Sequence, residues 1–185
     1  MKRFIVYAQA LAVQLWPFGM KNIVIRDATT ADLPAINDIY NAEVATGTST
    51  WDGEPWTLEE REAWLARHGD DTTPVIVAEV NGAVRGFAYL SWYRNKSGFR
   101  FTREDSIYID PSCRGKGLGM PLLAALIQRA QAARLHVLVA VITADNEASI
   151  RLHQRLGFEE SGRLRECGYK FGHWLDVVEM SKILE

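Results

Sequence analysis

A single α/β domain, with a mixed central β-sheet flanked by helices, is the fold this sequence predicts, and three observations carry the prediction. From Ile23 onward the apolar spacing alternates between the period of a strand and that of a helix. Asn81-Gly82 stands between two strand-like runs, the strongest short hairpin signal, so part of the sheet is antiparallel. Residues 137–142 form an unbroken apolar run, as expected of a strand buried on both faces. With no repeat or low-complexity linker, residues 21–185 read as one domain and residues 1–20 as an extension of uncertain role.

Ile23-Val24-Ile25-Arg26 reads as the first strand. Thr29 or Thr30 then caps a helix that places Leu33, Ile36, Ile39, Tyr40 and Val44 on one face and tolerates Pro34 in its first turn. Thr57 and Glu60 have capping-box spacing for a second helix over residues 57–68, closed by Gly69. Strands over 75–80 and 84–93 bracket the hairpin. Ser106-Ile107-Tyr108-Ile109-Asp110 is the next strand-like run, and after a glycine-rich loop Leu122, Leu123, Leu126, Ile127 and Ala130 keep helical spacing. Past the buried strand, residues 149–156 form a helix ended by Gly157, and residues 174–180 supply the closing strand.

Formal net charge is −2, with 21 basic and 23 acidic residues mixed along all 185 positions. That excludes a broad basic field for nucleic acid and a polybasic membrane patch, and leaves small molecules as partners. Cys113 and Cys167 stand apart, with no C-x-x-C or Cys/His cluster, so neither a metal site nor a disulfide framework is indicated and a reducing cytoplasm fits. Met1-Lys2-Arg3 before an apolar stretch to Phe18 has the outline of a signal peptide, but Gln9 and Gln14 interrupt it. The expectation is a cytoplasmic domain beginning near Met20.

Chemistry concentrates at Arg114-Gly115-Lys116-Gly117-Leu118-Gly119, between a strand and a helix that begins near Met120. Its glycines let the backbone approach a ligand and take positive φ, so that successive N–H groups converge on phosphate oxygens at a helix start. No Ser or Thr follows a Gly-Lys pair as a Walker loop requires, and no G-x-G-x-x-G is present. Arg-x-x-Gly-x-Gly instead resembles the pyrophosphate loop of the GNAT N-acetyltransferases, which bind acetyl-coenzyme A (acetyl-CoA). Asp145 to Phe158 resembles that superfamily's N-x-x-A/S-x-x-L-Y-x-x-x-G-F stretch, with His153 in place of the tyrosine. The resemblance implies that Asn146 binds the pantetheine or phosphate arm and that the residue at position 153 returns a proton to the departing thiolate, which an imidazole can do near neutral pH.

Further landmarks narrow the resemblance. Arg94-Asn95-Lys96, the run Arg100 to Ile109, Leu152-His153 and Gly168-Tyr169-Lys170-Phe171-Gly172-His173-Trp174 are similar to the phosphinothricin and methionine-sulfoximine acetyltransferase branch, over about Ile23 to Leu184. That similarity implies a homodimer acetylating the α-amino group of a short amino-acid analogue with a tetrahedral sulfur or phosphorus group. Backbone groups of Ile107, Tyr108 and Ile109 would take the pantetheine amides.

Acyl transfer to an amine needs an acceptor for the amine proton. Glu104 is the candidate base: by period two it shares a strand face with Ser106 and Tyr108. Arg94 and Arg100 suit a carboxylate and phosphinate or sulfoximine oxygens, with Asn95, Lys96, Asp105 and Ser106 nearby in sequence. Trp51 stands where the branch usually has phenylalanine, and Trp92 either walls the site or packs in the core. Tyr169, Lys170, His173 and Trp174 reach either the pocket or a dimer interface. Cys113 is a poor nucleophile candidate, so direct attack is expected. The rival readings are a GNAT enzyme acting on a polyamine, an antibiotic or a protein N-terminus, and a non-catalytic acyl-CoA sensor.

Overall fold

The computed structural model describes residues 22–185; the extension of residues 1–20 lies outside the described residues. These residues form seven strands and four α-helices, in chain order β1 Ile23–Asp27, α1 Leu33–Thr46, α2 Leu58–Ala66, β2 Val75–Val80, β3 Ala83–Trp92, β4 Thr102–Ile109, α3 Gly119–Ala132, β5 Val137–Thr143, α4 Glu147–Arg155, β6 Glu159–Lys170 and β7 His173–Ile183. The sheet runs in the order β1-β2-β3-β4-β5-β7-β6. Every neighbouring pair is antiparallel except β4 and β5.

Local chemistry sets the boundaries. Thr57 accepts the Glu60 N–H at 3.2 Å while the Glu60 carboxylate accepts the Thr57 N–H at 2.8 Å, closing the capping box of α2. Asn81 and Gly82 have φ of 51° and 81°, the left-handed geometry that a two-residue hairpin turn requires. Strand β2 serves two cores: Ile76, Ala78 and Val80 pack with Leu122, Leu123 and Leu126 of α3, whereas Val75 and Val77 pack with Leu33, Ile36 and Val44 of α1. Period-two alternation thus buries both faces of the sheet, and each fully buried Leu or Ile contributes about 1.5–3 kcal/mol.

Strand β6 is absent from the sequence-based expectation. It is almost wholly exposed and carries Glu159, Glu160, Arg163, Arg165 and Glu166, so no apolar alternation marks it. It forms because it pairs with β7 over nearly its whole length, through two register shifts, and its charges suit an outer edge.

The feature that positions the site is the end of the β4–β5 ladder. Parallel pairing covers Thr102 to Asp105 against Val137 to Ala140 and then stops. Ser106 to Ile109 continue along β3, and Val141 to Thr143 along β7. The two strands therefore part, and the backbone edge of Ser106 to Ile109 that faces β5 is left without a strand partner among the described residues.

Candidate active site

A cavity of about 440 Å³ occupies this split. One wall is Ile107, Tyr108 and Ile109; its end is Arg114, Gly115, Gly117, Leu118, Gly119 and Met120; α4 contributes Asn146 at its cap, Ser149 and His153. Gly115 and Gly117 have φ of 71° and 86°, and no atom lies within 4 Å of a Cβ built at Gly115, which makes the loop an open cradle of backbone N–H groups. Of the loop positions expected to bind a cofactor, Lys116 alone is missing from the lining: its Nζ donates to the Ser112 carbonyl at 2.6 Å. Arg114 is held by the buried Glu43 carboxylate at 2.7 Å and donates through Nε to the Ile109 carbonyl at 3.1 Å. Asn146 Oδ1 accepts the Ser149 N–H at 3.1 Å, so this residue caps α4 while lining the cleft.

A second cavity, about 270 Å³, adjoins the first. Ser49, Ser106, Tyr108, Val141 and Thr143 line both. Glu104 lines the smaller one together with Tyr40, Thr50, Trp51 and Tyr89. Glu104, Ser106 and Tyr108 thus share one strand face, as the alternation predicts. Burial pushes the Glu104 carboxyl up to about 7, with Asp105 and Glu179 adding to the rise. The carboxyl is therefore half ionised near neutral pH. Arg103 does not pair with it: that side chain is buried on another side, bonded to Thr72 and stacked on Trp92 at 3.6 Å. Trp92 itself is 57% exposed and lines neither cavity.

Asp105, expected beside Glu104 on the substrate side, is turned by the same alternation to the opposite face. There it is buried against His153, with Oδ2 2.9 Å from Nε2. His153 Nδ1 lies 2.8 Å from the Ser149 carbonyl and 3.3 Å from the Ser149 hydroxyl. Burial works to lower the imidazole pKa, but the Asp105 carboxylate and the Ser149 carbonyl outweigh it, and the net direction is up. Since both ring nitrogens face acceptors, the His153–Asp105 pair retains a proton between them. Asp105 Oδ1 is buried in the same cleft with no hydrogen-bond partner among the described residues.

Arg94, Asn95, Lys96 and Arg100 line neither cavity. They are exposed on the β3–β4 connection, which leaves the sheet one register step beyond the Ser91–Glu104 pair. Arg94 folds onto Tyr93 and Phe99, and Arg100 onto Phe101. Lys170 is buried, donating to the Thr50 carbonyl at 2.8 Å, and so pins the loop that carries Trp51. Trp51 donates to Thr143 at 3.1 Å, and its ring fills the space that a side chain at Gly168 would need. Tyr169 and Trp174 instead form an exposed cross-strand pair, ring centroids 5.0 Å apart.

Sequence reasoning missed Tyr40, Tyr89, Thr143, Glu43 and Ser49. For Glu43 a signal existed: it stands seven positions after Ile36, on the apolar stripe of α1, where an unpaired carboxylate is costly. Tyr40 and Tyr89 look like core aromatics, and only the folded sheet shows them behind Glu104.

The model of the "Acetyltransferase (GNAT) family" matches residues 36–158. The chain is 48% identical over 162 residues to the L-methionine sulfoximine/L-methionine sulfone acetyltransferase of Pseudomonas aeruginosa, covering 87% of this chain and 94% of that one. It is 41% identical over 177 residues to the phosphinothricin N-acetyltransferase of Alcaligenes faecalis, covering 95% and 88%. A GNAT superfamily phosphinothricin acetyltransferase from Sinorhizobium meliloti, solved with acetyl-CoA, superposes with a TM-score of 0.84 at 39% identity over 88% of each chain.

Proposed function

The chain belongs to the GNAT acetyltransferase family, and on that premise we propose that it acetylates the α-amino group of a small amino acid analogue of the methionine sulfoximine, methionine sulfone or phosphinothricin type. The observation that carries the reading is the shared wall between the two cavities, with the half-buried Glu104 carboxyl beside it. The larger cleft fits acetyl-CoA: it offers a glycine cradle for a pyrophosphate, an unpaired strand edge for amides and a stranded buried acceptor in Asp105 Oδ1. Bound there, the cofactor supplies an acetyl group activated as a thioester.

Glu104 takes the proton of the attacking amine from the side of the smaller cavity. A carboxyl titrating at about 7 combines a useful ionised fraction with real basicity. His153, held charged by Asp105, keeps the proton that returns to the sulfur side, and the Ser149 hydroxyl in the cleft wall is its exit route. Cys113 also lies in the cleft, but its polar neighbour is the Ser112 hydroxyl at 3.7 Å rather than a base, so transfer is direct.

The smaller cavity has one carboxylate, Glu104, in its lining, which disfavours a polyamine. Arg94 and Arg100 stand on the connection beside the Glu104 end of β4, where swinging off their aromatic rests brings them to an acceptor's carboxylate and its phosphinate or sulfoximine oxygens. The exposed Leu164, Tyr169, Phe171 and Trp174 on the β6–β7 arm support a homodimer. No helix among the described residues is long and apolar enough to cross a membrane, and the free Cys113 and Cys167 support action in the cytoplasm.

Thiol release from acetyl-CoA tests the reading, with methionine sulfoximine, methionine sulfone and phosphinothricin set against spermidine and a peptide N-terminus. Saturable turnover on the first three supports it. Turnover only on spermidine or the peptide would overturn the acceptor class, and none on any acceptor would favour a sensor.

A further inference from the structure

Two guanidinium groups in the larger cleft have no part in the chemistry above. Arg151 and Arg155 stand one turn apart on α4, and both line the cavity together with Gly115, Gly117 and Gly119. Leu152 fixes where they sit: a Cβ built at Gly119 would lie 3.0 Å from its Cδ2, so this face of α4 abuts the first residue of α3. The arginines therefore flank the end of the cleft where the glycine loop opens.

A CoA thioester brings phosphate in two places: a pyrophosphate, and a nearly dianionic phosphate on the ribose 3′ oxygen. A glycine nest at a helix start supplies N–H donors for the first. The second needs cations of its own. Arg114 is engaged by Glu43 and the Ile109 carbonyl, and Lys116 by the Ser112 carbonyl. Among the described residues Arg151 has one side-chain partner, the exposed Glu147 a turn earlier at 2.6 Å, and its side chain is 59% exposed. Arg155 is exposed as well, free to reach across the mouth.

Building on the acyl-CoA reading, we propose that Arg151 and Arg155 form a separate anion subsite that grips the ribose 3′-phosphate, so that the protein selects CoA thioesters over their 3′-dephospho counterparts. Guanidinium binds phosphate oxygens through paired parallel hydrogen bonds, a geometry that two arginines spaced i, i+4 can offer together.

Calorimetric titration of CoA and 3′-dephospho-CoA into the full chain and into the Arg151→Gln/Arg155→Gln variant tests this. The native chain should bind CoA about 10- to 100-fold more tightly than dephospho-CoA, as charge-assisted contacts imply. The variant should bind both ligands alike, at the native affinity for dephospho-CoA, with an unchanged melting temperature because both side chains are exposed. Equal native affinities would overturn the subsite. So would a variant that loses affinity for both ligands in parallel, since the arginines would then serve the pyrophosphate. Failure of the native chain to bind either ligand would instead sink the acyl-CoA reading on which the subsite rests.

Discussion

Replacing Glu104 by Gln should cost activity and raise stability, and both effects follow from how far the fold shields this carboxyl from water. The carboxyl titrates at about 7 in the fold against an ordinary 4.5, because ionising it beside Asp105 and Glu179 in a poorly solvated wall is unfavourable. Below pH 4.5 the group is neutral in both folded and unfolded chains. Between 4.5 and 7 the unfolded chain ionises first, so the folded state loses about 1.4 kcal/mol per pH unit, and the full penalty of at most about 3 kcal/mol is present above 7. Glutamine carries no such penalty. Glu104→Gln should therefore melt with the native protein near pH 4.5 and above it at pH 8, by roughly 2–4 °C per kcal/mol regained. Turnover should fall by about 10²–10⁴, and the rise of native kcat/KM with pH through about 7 should vanish, while CoA affinity stays unchanged. Calorimetry from pH 4.5 to 9 and steady-state rates across pH 5–9 read all three. Turnover within a few-fold of native would refute the base, and no gain in melting temperature at pH 8 would refute the burial argument.

Asp105→Asn removes the buried partner of His153, which should cost about 3 kcal/mol near pH 6. The raised imidazole pKa means that the pair's contribution is complete below His153's ordinary 6.5 and fades as pH climbs through the folded value, so thermal scans should show the loss shrinking at alkaline pH. Gly168→Ala places a methyl group where the Trp51 ring lies; acceptor KM should rise about tenfold with CoA affinity unchanged, and a second change, Trp51→Ala, should relieve the clash. A carboxylate at position 174, introduced as Trp174→Glu on the exposed β6–β7 arm, should convert a dimer to a monomer in light scattering, and a native chain that is already monomeric would end that proposal.

What the sequence conveyed depended on whether a residue's role is local. Thr57 and Glu60, Asn81-Gly82 and the glycine loop act through backbone a few residues away, so their spacing alone identifies them. Residues 137–142 declare a buried strand because both faces are covered except at Val141, which is exposed where the two cavities meet. Strand β6 was illegible because pairing with β7 carries most of it and its exposed edge needs no apolar pattern. The site divides in the same way. Glu104, Ser106 and Tyr108 follow from strand period, and so does the error over Asp105, since adjacent strand residues cannot share a face. Arg151 and Arg155 carry no local signal, and only their place in the lining of the cleft sets them apart.

Glu43 shows why the two cavities act as one site. Burial pushes its carboxyl up, but the Ser49 N–H and the Arg114 guanidinium outweigh that and hold it below its ordinary value. One oxygen accepts the Ser49 N–H at 2.9 Å and the other the Arg114 guanidinium at 2.7 Å. Ser49 belongs to the wall shared by both cavities, whereas Arg114 opens the loop that cradles phosphate. A single buried charge on α1 thus fixes the acceptor side and the cofactor side in one register, and Gly47 must lack a side chain because a Cβ there would collide with that carboxylate. A neutral residue at position 43 would suit the apolar stripe of α1 better but would leave Arg114 without its anion and Ser49 without its acceptor. The positioning of both loops therefore explains why a carboxylate occupies the core-facing side of α1, where helix packing alone would place an aliphatic residue.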